Sequence, residues 1–426
     1  MNTVVSAARG ALDGAVDVIC HRGATALTDV LPVWTMLVRD HPCPPPFSRP
    51  AWALNWWSVY GSGREPICLE IIVSGEPVAL ALLQLTIAPV ARTRRLEFLG
   101  GGAATWSHWL LNPAGLGMQY RNDLLVAPGY GPLAAQAVVG WLARHSGLWD
   151  TVRLTALGPR SPLLEACSKV ASAWRLRIEQ DERGRTDTSR GLDDYLTSLS
   201  KRQRRHLRYE PRALERAAGG PLELIEIRTP ETARAMEDFI TLHDRRWAAQ
   251  CKPGLNPGEG QLYRSLAACD DAVFVVYELR ARGRLLASQF GFDDGRRYLP
   301  YNSTFDPGLS AQSPSNVLMQ MIVERCCRLG HAEVDVAGVR SGPRWATEFV
   351  PRLHLEATSP RRASRGRAAM IRLAGRGVLA SQRSRAGHRA RALVATTVAS
   401  RRRRAGTEVP PTPVRSLHPR ERLVSR

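Results

Sequence analysis

Three absences bound this chain before any motif is read. Its eight cysteines show no CxxC pairing and no pairing with histidine at metal-ligand spacing, so the sequence carries no zinc or thiol-redox signature. Cys326 and Cys327 are adjacent in a helical pattern and point in different directions, which favours neither a mutual disulfide nor a shared metal. The plain reading is buried, reduced thiols. No run of 18 or more apolar residues occurs, so no spanning helix is expected. Residues 1–40 are interrupted by Asp13, Asp17 and Asp29 and lack a basic-then-apolar leader pattern. Together these make a cytoplasmic location the expectation. The third absence is lysine after residue 360. From Arg361 to Arg426 there are 18 arginines, two glutamates and no lysine, so this stretch carries +16 of the formal +20 charge. The remainder is nearly balanced, and the basic character belongs to the tail.

What is present is enough for two globular domains: 426 residues, 44% of them hydrophobic. A proline-rich break, His41 to Phe47, precedes a helical aromatic run with Trp52, Trp56 and Trp57. Cys68–Val73 and Val78–Val90 read as a hairpin around Ser-Gly-Glu-Pro. A strand ending at Gly100, a helix over about 133–145, and strands at 151–157 and 174–180 follow, with DERGRTDTSRG as a polar connector. The second half opens with one helix, LDDYLTSLSKRQRRHLRYEPRALERA, whose basic run is either a solvated face or an electropositive wall. A strand, LELIEIRT, leads to a helix ending at LHDRRW, with Thr229 or Thr232 as its cap. Three strands joined by RG and DDG turns form a meander over 272–305. A helix over about 314–329 and a strand, AEVDVAG, complete the pattern.

The chemistry concentrates where the meander ends. Tyr301, Asn302 and Ser303 arrive at a strand end, and Asp306 and Pro307 turn the chain. Ser313, Pro314, Ser315 and Asn316 then start a helix, whose unpaired N–H groups can hold an anionic group without any lysine. Asp335, in an apolar strand, is a candidate proton acceptor with a raised pKa. The plainer reading is that the serines only cap the helix and that Asp335 pairs with an arginine.

These stretches carry a resemblance. LSKRQRRHLRYEPRALE, LHDRRW and the run from Gly283 to Gly338 resemble the BioF2-like, or CelD-type, branch of the GNAT acyltransferases. The likeness spans roughly residues 27–355 and its motifs occur in the family's order. It implies an α/β fold of tandem GNAT-like units, with mixed central sheets flanked by helices, similar in layout to the FemAB-type aminoacyltransferases. The implied domains are 1–185, 186–358 with the donor site, and an Arg-rich tail, 359–426, expected to be disordered. The implied reaction moves an acyl group, acetyl above all, from an acyl-CoA cosubstrate to an amine or hydroxyl of a small-molecule, cell-envelope or polysaccharide precursor. No tightly bound cofactor and no metal are expected.

Carried onto this chain, the resemblance puts Asp335, Asp306, His243 and Tyr301 in catalytic roles. Ser313, Ser315, Asn316, Arg204 and Arg205 fall on the donor, and Arg246, Trp247, Asn302 and Arg208 on the acceptor. Three positions depart from the family pattern. Ser315 stands where glycine is usual, Gly338–Trp345 lacks the usual Tyr-Lys pair, and Trp106–Trp109 replaces an Asp-Tyr pair. Two other readings remain open: an aminoacyl-tRNA-dependent transferase, and a non-catalytic GNAT-like module. In either, the tail would contact RNA or an anionic membrane surface.

Overall fold

A computed structural model describes residues 15–42, 44–87, 92–101, 121–170, 173–252, 254–336, 346–370 and 373. Trp106–Trp109, Gly338–Trp345 and nearly all of the arginine-rich tail lie outside the described residues. The chain divides into two units, Met1–Ile371 and Arg372–Arg426, and the sheet with its helices belongs to the first.

That sheet is built from one element order used twice. The first pass runs β1 (Val16–Arg22), α1 (Leu31–Asp40), α2 (Pro50–Tyr60), β2 (Arg64–Val73), β3 (Glu76–Ile87) and β4 (Arg94–Phe98). It continues through a short β5 (Leu125–Val126) to α3 (Gly131–Arg144), β6 (Thr151–Leu157), α4 (Pro162–Lys169) and β7 (Arg175–Asp187). Two helices, α5 (Leu192–Ser198) and α6 (Lys201–Ala218), lead into the second pass. This comprises β8 (Glu223–Ile227), α7 (Thr232–Ala248), α8 (Pro257–Ala268), β9 (Phe274–Ala281), β10 (Arg284–Asp293) and β11 (Arg297–Phe305). A 3-10 segment (Pro307–Gln312), α9 (Pro314–Leu329), β12 (Glu333–Val336) and β13 (Glu348–Thr358) complete it.

All thirteen strands join one sheet, ordered β1-β2-β3-β4-β6-β13-β7-β12-β11-β10-β9-β8, with β5 against β3. The order is symmetric about the β13–β7 pair because the two passes exchange their last strands. β13 pairs with β6 and β7 pairs with β12. Among the described strands, only β4–β6 and β11–β12 run parallel, at equivalent places in the two passes. The expected pair of mixed sheets is therefore one continuous mixed sheet.

Local sequence explains most elements. Ser74-Gly75 and Arg282-Gly283 both have positive φ and form tight two-residue hairpin turns. In β9, Phe274 and Val276 face one core while Val275, Tyr277 and Leu279 face another, so the strand is apolar from Phe274 to Tyr277. On the first face, Trp34, Trp52 and Trp56 of α1 and α2 pack with Phe239, Phe290 and Phe292, tying the N-terminal helices to the second pass. The other face carries α9.

Some expectations need correction. The single helix expected over 192–217 is two, because Ser200 starts a new one. Its side chain accepts from the Gln203 N–H while the Gln203 side chain takes the Ser200 N–H. The polar connector after Gln180 is strand as far as Asp187, since β13 and β12 hydrogen-bond to its two edges and its charged side chains find ion-pair partners. Thr232 does not cap α7; its hydroxyl donates to the Ala267 carbonyl at 2.7 Å.

Candidate active site

The sheet parts at one place that matters. β11 is nine residues long, yet β12 pairs with it only at Arg297 and Tyr298. Beyond Tyr298, β11 keeps β10 on one edge, with no pairing to β12 on the other among the described residues. Tyr301, Asn302 and Ser303 lie on this parted stretch. Tyr301 packs among Phe47, Trp52, Phe290 and Phe292, and Asn302 Nδ2 donates to the Tyr263 hydroxyl at 3.1 Å.

The end of α7 closes on the same stretch. Arg246 Nη1 donates to the Ser303 carbonyl at 3.1 Å, and its guanidinium lies 4.2 Å from the Phe305 ring centre. Burial holds the Arg246 pKa below the ordinary arginine value. Trp247 Nε1–H donates to His243 Nε2 at 2.8 Å. That bond fixes the ring proton on Nδ1 and leaves His243 Nε2 engaged as an acceptor. Burial lowers the His243 pKa, so the ring is neutral near pH 7.

Asp306 sits at the strand end as the cap of the 3-10 segment, accepting from the Gly308 N–H at 3.0 Å and pairing with Arg284. Burial alone would raise its pKa, but Arg284, the Gly308 N–H and Arg245 outweigh this and hold the carboxyl below its ordinary range. Ser313 follows with φ +52°, and α9 begins. Pro314 has no N–H, and the N–H groups of Asn316 and Val317 both return to the Ser313 carbonyl. Ser315 Oγ is buried there with no hydrogen-bond partner among the described residues, which is what a polar ligand would remedy.

α6 packs against this start of α9: Gln320 Nε2 donates to the Leu207 carbonyl at 3.0 Å. Of its arginines, Arg204 is engaged by the end of α5, donating to the carbonyls of Leu196, Thr197 and Leu199. Arg205 and Arg208 are exposed.

Asp335 stands apart from this group. It is 2% exposed on β12, paired with Arg183 and 3.8 Å from Arg121. With Arg49, Arg121, Asp294 and Arg297 it lines a pocket between the proline-rich break and Phe292 and Leu299. The structure thus gathers His243, Arg246, Trp247, Tyr301 and Asn302 along β11, carries Asp306 and Ser313–Asn316 on from it, and leaves Asp335 in a separate arginine clamp. The neighbouring arginine-lined cleft, with Asp123 in its wall, was not anticipated. A carboxylate directly before the apolar run LLV was the available signal.

Residues 201–343 match the family model described as the acetyltransferase (GNAT) domain. A crystal structure of FemX superposes with a TM-score of 0.54 at 9% identity, covering 79% of this chain and 96% of that one. The C-terminal domain of a putative lysylphosphatidylglycerol synthetase from Agrobacterium fabrum gives 0.49 at 13% identity, covering 83% and 97%. A tandem GNAT protein from the clavulanic acid biosynthesis pathway gives 0.38 at 16%, covering 81% and 99%. No curated protein matches the chain. The fold is GNAT-like. No helix among the described residues is long and apolar enough to cross a membrane.

Proposed function

We propose that the chain is an acyltransferase that moves an acyl group from a coenzyme A thioester to the amine or hydroxyl of an acceptor. The observation that carries this reading is the end of β11, which among the described residues is parted from β12 beyond Tyr298 and is followed by a helix start holding a buried serine hydroxyl without a partner there. A parted pair of parallel strands offers a thioester an edge of peptide groups inside the sheet. The start of α9, with Ser313, Ser315 and Asn316, and the exposed Arg205 and Arg208 supply polar and cationic partners for the donor's phosphates. Arg246 and Trp247 form the opposite wall. The acceptor nitrogen or oxygen attacks the thioester carbonyl, the C–S bond breaks, and the proton lost by the acceptor ends on the thiol. Asp306, in its charged form beside the strand end, is the proposed proton acceptor nearest the donor.

This reading takes 1–185 and 186–358 as the two GNAT-like units, with 359–426 as a separate tail. The BioF2-like branch and an envelope or polysaccharide precursor as acceptor rest on the motifs LSKRQRRH, LHDRRW and Tyr301–Met321. Calorimetric titration with acetyl-CoA should show binding that a double change, Arg205→Glu and Arg208→Glu, weakens about tenfold or more. A flat titration across acetyl- and longer acyl-CoAs would sink the proposal.

The likeness of fold to FemX, with the arginine-rich stretch 361–426, favours a second reading in which the donor is an aminoacyl-tRNA. A chain ending at residue 360 should then bind tRNA more weakly and with a reduced salt dependence. Equal binding by both chains removes this reading.

A further inference from the structure

Between the two passes of the fold lies an open cleft of about 350 Å³. Its wall carries five arginines, Arg121, Arg160, Arg183, Arg185 and Arg352, against two carboxylates, Asp123 and Glu333. Four of the arginines are positioned by ion pairs. Arg352 is held by Asp181 at 2.6 Å, Arg185 by Glu333 at 2.9 Å, Arg121 by Glu333 at 3.2 Å, and Arg183 by Asp335. Arg185 also pairs with Glu348, and Arg121 lies 3.8 Å from Asp335, so these carboxylates fix where the guanidiniums sit along the wall. Arg160, on the loop after β6, is exposed and has no partner among the described residues.

Asp123 is built differently. Its Oδ1 accepts from the Ser161 hydroxyl and from the Leu124 N–H, both at 2.9 Å. Its Oδ2 takes no hydrogen bond among the described residues. One oxygen is therefore anchored and the other is free, in a wall otherwise dominated by positive charge.

We propose that this cleft receives a ligand bearing both an amine and an oxyanion group, phosphate or carboxylate. Asp123 Oδ2 takes the ammonium, and Arg160 takes the oxyanion in the positive field of the paired arginines. The cleft shares Arg121 with the pocket at Asp335, beside the parting of β11 and β12. Naming the ligand as the acceptor rests on the acyltransferase reading; the binding itself does not. Burial drives Asp123 up to about 6 against the opposing pull of Leu124, Ser161 and Arg121, so the ammonium partner is switched on as pH rises through about 6. The other groups in the wall are the arginines, Glu333 and His41. Burial, with Arg297 and Arg121, holds His41 below its ordinary value, and the Arg121 and Arg185 partners hold Glu333 down against its burial.

The test is calorimetry on the full chain with phosphoethanolamine, β-alanine and ethanolamine as probes. The oxyanion-bearing amines should bind about tenfold more tightly than ethanolamine, and Arg160→Ala should erase most of that difference. Whichever of the two binds more tightly identifies the oxyanion as phosphate or carboxylate. Asp123→Asn should weaken both. β-Alanine carries fixed charges between pH 5 and 8, so its affinity should rise through about pH 6 in the wild type and lose that rise in Asp123→Asn. His41 contributes equally to both proteins. Thermal melting confirms that each variant is folded. Equal binding of all three probes, or variants indistinguishable from the wild type, overturns the proposal. If the probes behave as expected and no acyl-CoA binds, the cleft stands and the acyltransferase reading falls. If acetyl-CoA binds and the probes do not discriminate, the reverse holds.

Discussion

At the scale of single residues, the site separates groups that are fully engaged from groups left wanting a partner. His243 Nε2 and Arg204 belong to the first kind, Ser315 Oγ and Asp123 Oδ2 to the second. Asp123 makes this difference measurable without any ligand. Its folded pKa, about 6, lies above the ordinary aspartate value, so its charged form costs stability. The cost is absent below about pH 4, grows as pH rises, and is complete above about 6. The full gap corresponds to about 3 kcal/mol, and partial access to water reduces it to about 1–2 kcal/mol. Asp123→Asn keeps an oxygen for Ser161 and Leu124 and should therefore melt several degrees higher than the wild type at pH 7. At pH 4 the two should coincide. A variant less stable than the wild type at pH 7 would mean that the carboxylate is a structural ion-pair member. These properties were not readable in sequence, since Asp123 and Ser161 meet only through folding.

At the scale of elements, legibility followed locality. The meander β9–β11, with its tight turn at Arg282-Gly283, and α9, with Pro314 at its start and Gly330 at its end, follow from neighbouring residues and stand where the pattern put them. The break at Ser200 was equally local, a Ser-x-x-Gln capping box inside a continuous helical pattern. Ser200→Ala should lower stability by about 1 kcal/mol, read as a lower denaturation midpoint with an unchanged denaturant slope. The second half of β7, Asp181–Asp187, was illegible for a different reason. Its sequence, DERGRTD, has the composition of a loop, and it becomes strand because β12 and β13 supply hydrogen bonds on both edges while carboxylates answer its arginines. Most of the cleft arginines are unremarkable in sequence for the same reason. Their partners lie from 148 to 212 positions away along the chain.

At the scale of the whole molecule, the exchange of last strands makes the two passes mutually dependent. β13 fills the space between β6 and β7, and without it the sheet would end on both sides of a gap. A chain stopped at residue 345 should therefore lose cooperative unfolding and accumulate as insoluble protein. A chain stopped at residue 371 keeps Ser364 and Arg367 on Asp150 and should melt as the full chain does. The same feature has a consequence during synthesis. The edge of β6 is complete once residue 157 has emerged, but its partner is not made until residues 348–358. At ribosomal speeds of about 5–20 residues per second, that edge waits for some tens of seconds. An unpaired edge over that interval is a template for pairing with another nascent chain. Translation rate and chaperone supply, more than final stability, should then govern how much of this protein reaches its folded form.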